Sequence, residues 1–266
     1  MDRLFGEEPG RDLTETASGQ PPLATRLRPR TLAEFVGQER LLWAGAALRR
    51  AIEEGHPHSM ILHGPPGTGK TTLARLVAEA VDAAFDEESA VQVGRAEVRA
   101  VIERARERLS ISGRQTIFFL DEIHRFNKAQ QDALLPAVEE GLITLIGATT
   151  ENPYFEVNSA LLSRVQVYTL EALTQDQIRT LLDRAVQRGE CGPPERIEPT
   201  ALAFLSARSG GDARTALNAL ELACQAAGDG QAVTLAHAED ALQRRALLYD
   251  RQADYRSEER RVGKEC

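Results

Sequence analysis

One stretch constrains the chain more than any other. Gly64-Pro65-Pro66-Gly67-Thr68-Gly69-Lys70-Thr71 reads G-x-x-x-x-G-K-T, the loop that cradles the phosphates of a nucleoside triphosphate. Such a match carries weight only between a strand and a helix. Before it, Ser59-Met60-Ile61-Leu62-His63 is a short apolar run that reads as a buried strand; after it, Thr72 to Val81 carries apolar residues at helical spacing. Pro65 and Pro66 have no N–H to give. The phosphate-facing amides therefore come mainly from Gly67 through Thr72, at a helix start, where unpaired amides and the helix dipole favour an anion. In this loop Lys70 reaches the β- and γ-phosphates and the Thr71 hydroxyl holds Mg²⁺. The plain alternative, a glycine-rich turn that matches by accident, is disfavoured by both flanking elements.

The length of 266 residues allows a sizeable core and one or two domains. Net charge is -8, so a nucleic-acid partner has to meet a local basic face or an assembled channel. Cys191, Cys224 and Cys266 are far apart in sequence. Their spacing argues against a disulfide framework and against a Cys-ligated zinc site, and it fits a reducing cytosol. The sequence shows no secretory signal and no membrane-length apolar run.

Residues 1–20 read as a flexible polar arm containing one apolar pair, Leu4-Phe5. Thr31 and Glu34 have the spacing of a capping box for a short helix that Gly37 ends. A helix is expected from about Gln38 to Glu54, with Trp43 in the core. Ala90 to Val93 suggests a second strand, and the mixed charges of the helix from Ala96 to Leu109 suggest a solvated, salt-bridged face. Thr116 to Leu120 is a continuous apolar run, as in a strand buried on both faces. A helix at 128–140, a strand at 142–148, a short helix at 158–164 and a last strand at 165–168 follow. Alternation of this kind implies an α/β fold, a parallel sheet between helices. Beyond Leu170 the pattern changes to four helical segments, 174–189, 200–209, 212–227 and 234–248, which read as a separate all-helical domain. The expected domains are 21–170 and 171–248, with 249–266 as a tail.

Lys70, Asp121 and Thr149 all lie just past the carboxyl ends of expected strands, where open parallel sheets bind ligands. Asp121 is the type of carboxylate that holds Mg²⁺ beside the loop threonine, and Glu122 is suited to polarise an attacking water. An Asp-Glu pair after a strand is by itself more often a turn or a helix cap; the phosphate loop changes that weighting. Arg214 sits in the first turn of a helix, where its charge opposes the dipole by roughly 0.3–1 kcal/mol unless an anion is near. Arg164, at a short helix's end, is on local grounds ordinary dipole matching. His124, with no second ligand on its element, makes a poor metal site.

The segments GPPGTGKTTLA, IFFLDEIHRFNKAQQDALLPAVEEG, IGATTENPYFEVNSALLSR and GGDARTALNALELA together closely resemble the RarA/MgsA group of AAA+ ATPases. This is the replication-associated recombination protein group, which includes the eukaryotic Werner-helicase-interacting protein. The resemblance runs from about Pro22 to Tyr249. It implies an AAA+ P-loop core followed by a small helical lid, using ATP and Mg²⁺. Gly64 to Thr71, with Thr72, takes the Walker A position. Asp121 and Glu122 take the Walker B positions, with Glu122 the catalytic carboxylate and Asp121 and Thr71 the metal ligands. Thr149 or Thr150 takes sensor 1, with Thr149 preferred. Arg164 takes the position of an arginine finger acting on a neighbouring subunit's nucleotide, and Arg214 that of sensor 2. Arg28-Pro29 and Val36-Gly37 match the segment that packs around adenine.

The resemblance further implies a DNA-dependent ATPase at stalled or gapped replication forks, cytoplasmic and nucleoid-associated. Its implied partners are DNA junctions or ends, single-strand DNA-binding protein and further copies of itself. A clamp-loader-like subunit is the alternative, although the zinc insert usual in such motors is missing. A protein unfoldase is disfavoured because Val91 to Ala96 has no aromatic residue to grip substrate. Family members continue into a further helical region that drives oligomerisation. Ser257 to Cys266 departs from the family and is expected to be a truncated or non-native tail.

Overall fold

A computed structural model describes residues 20–244. Five strands form one sheet: β1 (Met60–His63), β2 (Ala84–Ser89), β3 (Thr116–Asp121), β4 (Ile143–Thr149) and β5 (Gln166–Thr169). Their order is β2-β3-β4-β1-β5, and every pair is parallel. Strands β1, β3 and β4 are mostly apolar, with long buried runs, because helices cover both faces of the sheet. One face packs Phe118, Leu120 and Ile61. The other packs Phe119, Ile146, Met60 and Leu62.

The helices in chain order are α1 (Leu23–Arg26), α2 (Glu39–Leu42), α3 (Ala47–Glu53), α4 (Lys70–Ala80), α5 (Arg95–Ser112), α6 (Lys128–Asp132), α7 (Leu135–Glu139), α8 (Pro153–Glu156), α9 (Ser159–Leu162), α10 (Gln175–Gln187), α11 (Pro199–Arg208) and α12 (Ala213–Ala227). A further helical stretch at 235–244 ends the described residues. Helices α10 to α12 enclose their own apolar core around Ile178, Leu205, Leu220 and Val233. Leu23 of α1, fully buried, belongs to that core and not to the sheet. It is fastened there by its N–H to Glu221 at 3.0 Å and by Arg26, which pairs with Glu190 at 2.8 Å and Glu221 at 2.9 Å.

Several local expectations need correction. The second strand lies at Ala84–Ser89, while Ala90 to Val93 is a turn. Strand β2 is an edge that pairs only with β3, so its acidic side chains remain within reach of arginines: Asp86 meets Arg108 at 3.4 Å and Glu87 meets Arg75. The expected helix from Gln38 to Glu54 is broken between α2 and α3, and Trp43, at the break, is 61% exposed instead of buried. Thr31 makes no side-chain cap. Glu34 instead accepts from the N–H of Arg30 at 3.0 Å.

Cys191 and Cys224 form a disulfide with a Cα–Cα separation of 5.7 Å. This overturns the expectation of no disulfide: the two cysteines are 33 apart in sequence, and α11 and the part of α12 before Cys224 fold back between them, which sequence spacing alone does not reveal. The expected salt-bridged face of α5 is present in Arg106–Glu103 at 2.7 Å. Among the described residues, no helix is long and apolar enough to cross a membrane. The arm with Leu4-Phe5, Cys266 and the tail from Tyr249 onward lie outside the described residues.

Candidate nucleotide-binding site

The phosphate-loop motif has the context it requires, because β1 ends at His63 and α4 starts at Lys70. Between them the backbone turns through left-handed conformations at Gly67 (φ 69) and Gly69 (φ 97), which glycine adopts without steric cost. Space also demands glycine at both positions. A Cβ on Gly69 would stand 2.7 Å from the ring of Phe35, and one on Gly67 would overlap the carboxylate of Asp212. The first turn of α4 points its N–H groups toward the loop by helix geometry. Thr68 Oγ1 donates to the Pro65 carbonyl at 2.9 Å and holds the turn in shape.

A cavity of about 470 Å³ opens over this loop. Pro66 through Thr72 form its floor, Asp121 and Glu122 one wall, and Ala213, Arg214, Leu217 and Asn218 of the helical unit its roof. Arg28, Pro29, Phe35 and Val36 close one end together with Leu173 and Leu181. The Lys70 ammonium donates to the carbonyls of Gly64 at 2.7 Å and Pro65 at 2.8 Å. Burial pushes it below its ordinary pKa, and Asp121 and Glu122 act against that shift. Burial, reinforced by Arg75 and by Arg214, likewise lowers the Arg28 guanidinium. These cations crowd a half-buried space, an arrangement that a polyanion relieves.

The donor set also fits a hard cation. Thr71 and Asp121 offer a hydroxyl and a carboxylate on the same cavity. Oxygen ligands few in number suit Mg²⁺, which keeps waters and takes substrate phosphates as further ligands. Among the described residues, no group of three or more His, Cys, Asp or Glu could hold a metal by itself.

Most residues singled out from the sequence meet in this cavity; five do not line it. Gly64 and Pro65 lie behind the loop, and Gly64 donates its N–H to the Thr149 carbonyl at 3.1 Å. Gly37 packs against Leu173 and Gln177. Thr149 is fully buried, its hydroxyl 2.9 Å from His124 Nδ1, whereas Thr150 lines the cavity. Arg164 also lies outside it. Its guanidinium pairs with Glu139 at 2.5 Å and donates to the Ala160 carbonyl at 2.7 Å.

Sequence reasoning missed the contributions of Phe35, Leu173, Leu181 and Asn218. Asn218 stands one turn after Arg214, a spacing that could have found it. Its Oδ1 is buried and has no hydrogen-bond partner among the described residues.

Comparison with known proteins agrees with this architecture. Residues 60–171 match the ATPase family associated with various cellular activities (AAA), and residues 193–256 match an AAA C-terminal domain. Replication-associated recombination protein A of Escherichia coli K12 is 53% identical over 204 residues, 76% of this chain and 45% of that protein. The protein of the same name from Bacillus subtilis is 40% identical over 240 residues, 88% of this chain and 56% of that one. ATPase WRNIP1 of Dictyostelium discoideum is 44% identical over 207 residues, 77% of this chain and 24% of its own length. The chain thus spans about half the length of the bacterial relatives it matches. Among solved structures, the Thermotoga maritima RuvB Holliday junction branch migration motor superposes with a TM-score of 0.66 at 28% identity, covering 82% of this chain and 72% of that one. With relatives this similar over most of its length, and with the phosphate loop, the acidic pair and Arg214 gathered on one cavity, the chain belongs to the replication-associated recombination protein A family of AAA+ ATPases.

Proposed function

We propose that this chain is the ATP-driven motor part of a protein that acts on DNA in replication-associated recombination, at stalled or gapped forks. The observation that carries the reading is the division of labour in the site. Lys70, Thr71, Asp121, Glu122 and Arg214 share one cavity, while Arg164 is held outside it. A cavity so equipped can bind a triphosphate yet lacks an arginine that a second subunit would bring.

In this reading the loop amides and Lys70 bind the phosphates, and Arg214 reaches them from the lid. Thr71 and Asp121 hold Mg²⁺, which neutralises charge on the phosphate oxygens when bound. Glu122 takes the proton of the attacking water. Thr150, on the cavity wall, is better placed than Thr149 to touch the terminal phosphate. Phe35, Val36 and Leu173 make the apolar end for the base, beside Arg28 and Pro29. Arg164 acts on the nucleotide of the next subunit in an oligomer. The sheet unit spans 21–170 and the lid 171–248, with α1 contributed to the lid. The partners in this reading are DNA junctions or ends and single-strand DNA-binding protein, in the cytoplasm at the nucleoid.

The test is ATP turnover by the full-length protein with forked, gapped and single-stranded DNA across a salt series. Stimulation by junction DNA is expected, falling steeply with salt because an acidic chain binds DNA through local phosphate contacts. Turnover indifferent to every DNA would overturn the fork assignment while leaving the ATPase intact.

A further inference from the structure

Glu122 has a neighbour that phosphate chemistry does not account for. His124 lies in the 3-10 turn Ile123–Arg125, and its side chain is 8% exposed. Its Nε2 stands 3.3 Å from Glu122 Oε2, and its Nδ1 stands 2.9 Å from Thr149 Oγ1. An ionised carboxylate only accepts. With its hydrogen on Nε2 a neutral imidazole turns a donor toward the carboxylate, and its Nδ1 then competes for the Thr149 hydroxyl with the Glu151 carbonyl, 3.3 Å from that hydroxyl. Thr149 Oγ1 in turn accepts the N–H of Glu151 at 3.0 Å. The result is a continuous chain of polar contacts from the Glu122 carboxylate to the turn after β4.

The backbone around the chain is held firmly. Glu122 has φ 55, one of three non-glycine residues at positive φ among the described residues. Such a conformation persists only where the surroundings enforce it. Ile123 is fully buried, and its side chain fills the space that a Cβ at Gly147 would need, 2.9 Å away. The turn carrying His124 is thereby seated on β4 itself. At the other end, Thr149 closes β4, and the chain runs on through Thr150 and α8 and α9 to Arg164.

We propose that His124 is a positioning residue for ATP hydrolysis: its imidazole aims the Glu122 carboxylate at the attacking water and ties it, through Thr149, to the segment that leads to Arg164. The inference rests on Glu122 being the base, and the experiment separates the two ideas. In the full-length protein, His124→Ala keeps ATP affinity within about twofold of wild type. Its kcat falls on the order of tenfold to a hundredfold, the scale of a misplaced reacting group. Thr149→Val, which leaves the imidazole without its anchor, gives a smaller loss in kcat at unchanged KM. His124→Gln, which can still offer an N–H toward Glu122, restores part of the lost kcat. In a Glu122→Gln background, His124→Ala costs nothing further. An ¹⁵N spectrum of the imidazole shows the Nε2–H tautomer in wild type and a changed Nδ1 signal in Thr149→Val.

Three results would overturn the proposal. One is a kcat for His124→Ala within twofold of wild type. Another is an equal loss of kcat in the Glu122→Gln background. The third is a loss confined to ATP affinity and thermal stability, as a packing role predicts. Wild-type turnover by Glu122→Gln alone would instead remove the base assignment.

Discussion

Replacing Gly67 by alanine tests how closely the phosphate loop is fitted to the lid. Two penalties follow from the structure. The residue sits at φ 69, and an L-residue in the left-handed region costs roughly 1–2 kcal/mol. The new Cβ also overlaps the carboxylate of Asp212. That side chain caps α12, with Oδ1 accepting the Thr215 N–H at 2.9 Å and Oδ2 the Thr215 hydroxyl at 2.8 Å. Displacing it forfeits a helix cap worth roughly 0.5–2 kcal/mol. The total destabilisation is roughly 1.5–4 kcal/mol, and the lid-to-loop bond from Ala213 N to the Gly67 carbonyl, 3.2 Å, weakens with it.

Urea unfolding of wild type, Gly67→Ala, Asp212→Ala and the double variant measures these terms as a cycle, with ATP affinity read in parallel. Once Asp212 is truncated, Gly67→Ala costs the backbone strain alone, so the two substitutions couple by about 1 kcal/mol, well beyond the ~0.3–0.5 kcal/mol expected of independent sites. Simple additivity would show that loop and lid do not meet as described. So would a Gly67→Ala protein with wild-type stability.

Two further outcomes concern the nucleotide and the lid. Lys70→Ala loses triphosphate binding, and Arg164→Ala binds ATP but turns it over poorly, since an arginine delivered in trans is worth roughly 10³–10⁵ in related phosphate-loop enzymes. Mixing the two inactive full-length proteins restores partial turnover where an intact Lys70 site meets an intact Arg164; co-assembly without any recovery would refute action in trans. Leu23→Ala, at a fully buried position, destabilises the helical unit by about 2–5 kcal/mol in denaturant melts, and a change confined to sheet-side probes would contradict its place in the lid core.

The sequence exposes some parts of this molecule and hides others for identifiable reasons. The phosphate loop, β1, β3 and β4 are legible because strands buried on both faces leave unbroken apolar runs. Strand β2 is hidden by Asp86, Glu87 and Glu88, which an edge tolerates and a central strand would not. The break between α2 and α3 places Trp43 at the surface although its neighbours keep helical spacing. Thr149 and Thr150 cannot be told apart by position in a motif; the first is the buried last residue of β4, and the second, just past the strand, lines the cavity. The Cys191–Cys224 pairing and the seating of Leu23 depend on contacts across long stretches of chain, which local pattern does not encode. Arg164 makes the helix-end contact that its place in the sequence suggests, donating to the Ala160 carbonyl, and lies outside the cavity.

The attachment of α1 to the helical core has a mechanical consequence. The backbone passes between the sheet and the lid twice, once leaving α1 for the loop and once through Leu170 to Leu173. At the second crossing the Gln38 side chain grips the Glu171 backbone with both of its polar atoms, at 2.7 and 3.0 Å. A body tied at two points pivots about the line joining them and does not swivel freely. The lid should therefore swing like a door on paired pins, while Phe35, on the first crossing, stays packed against the core of the sheet.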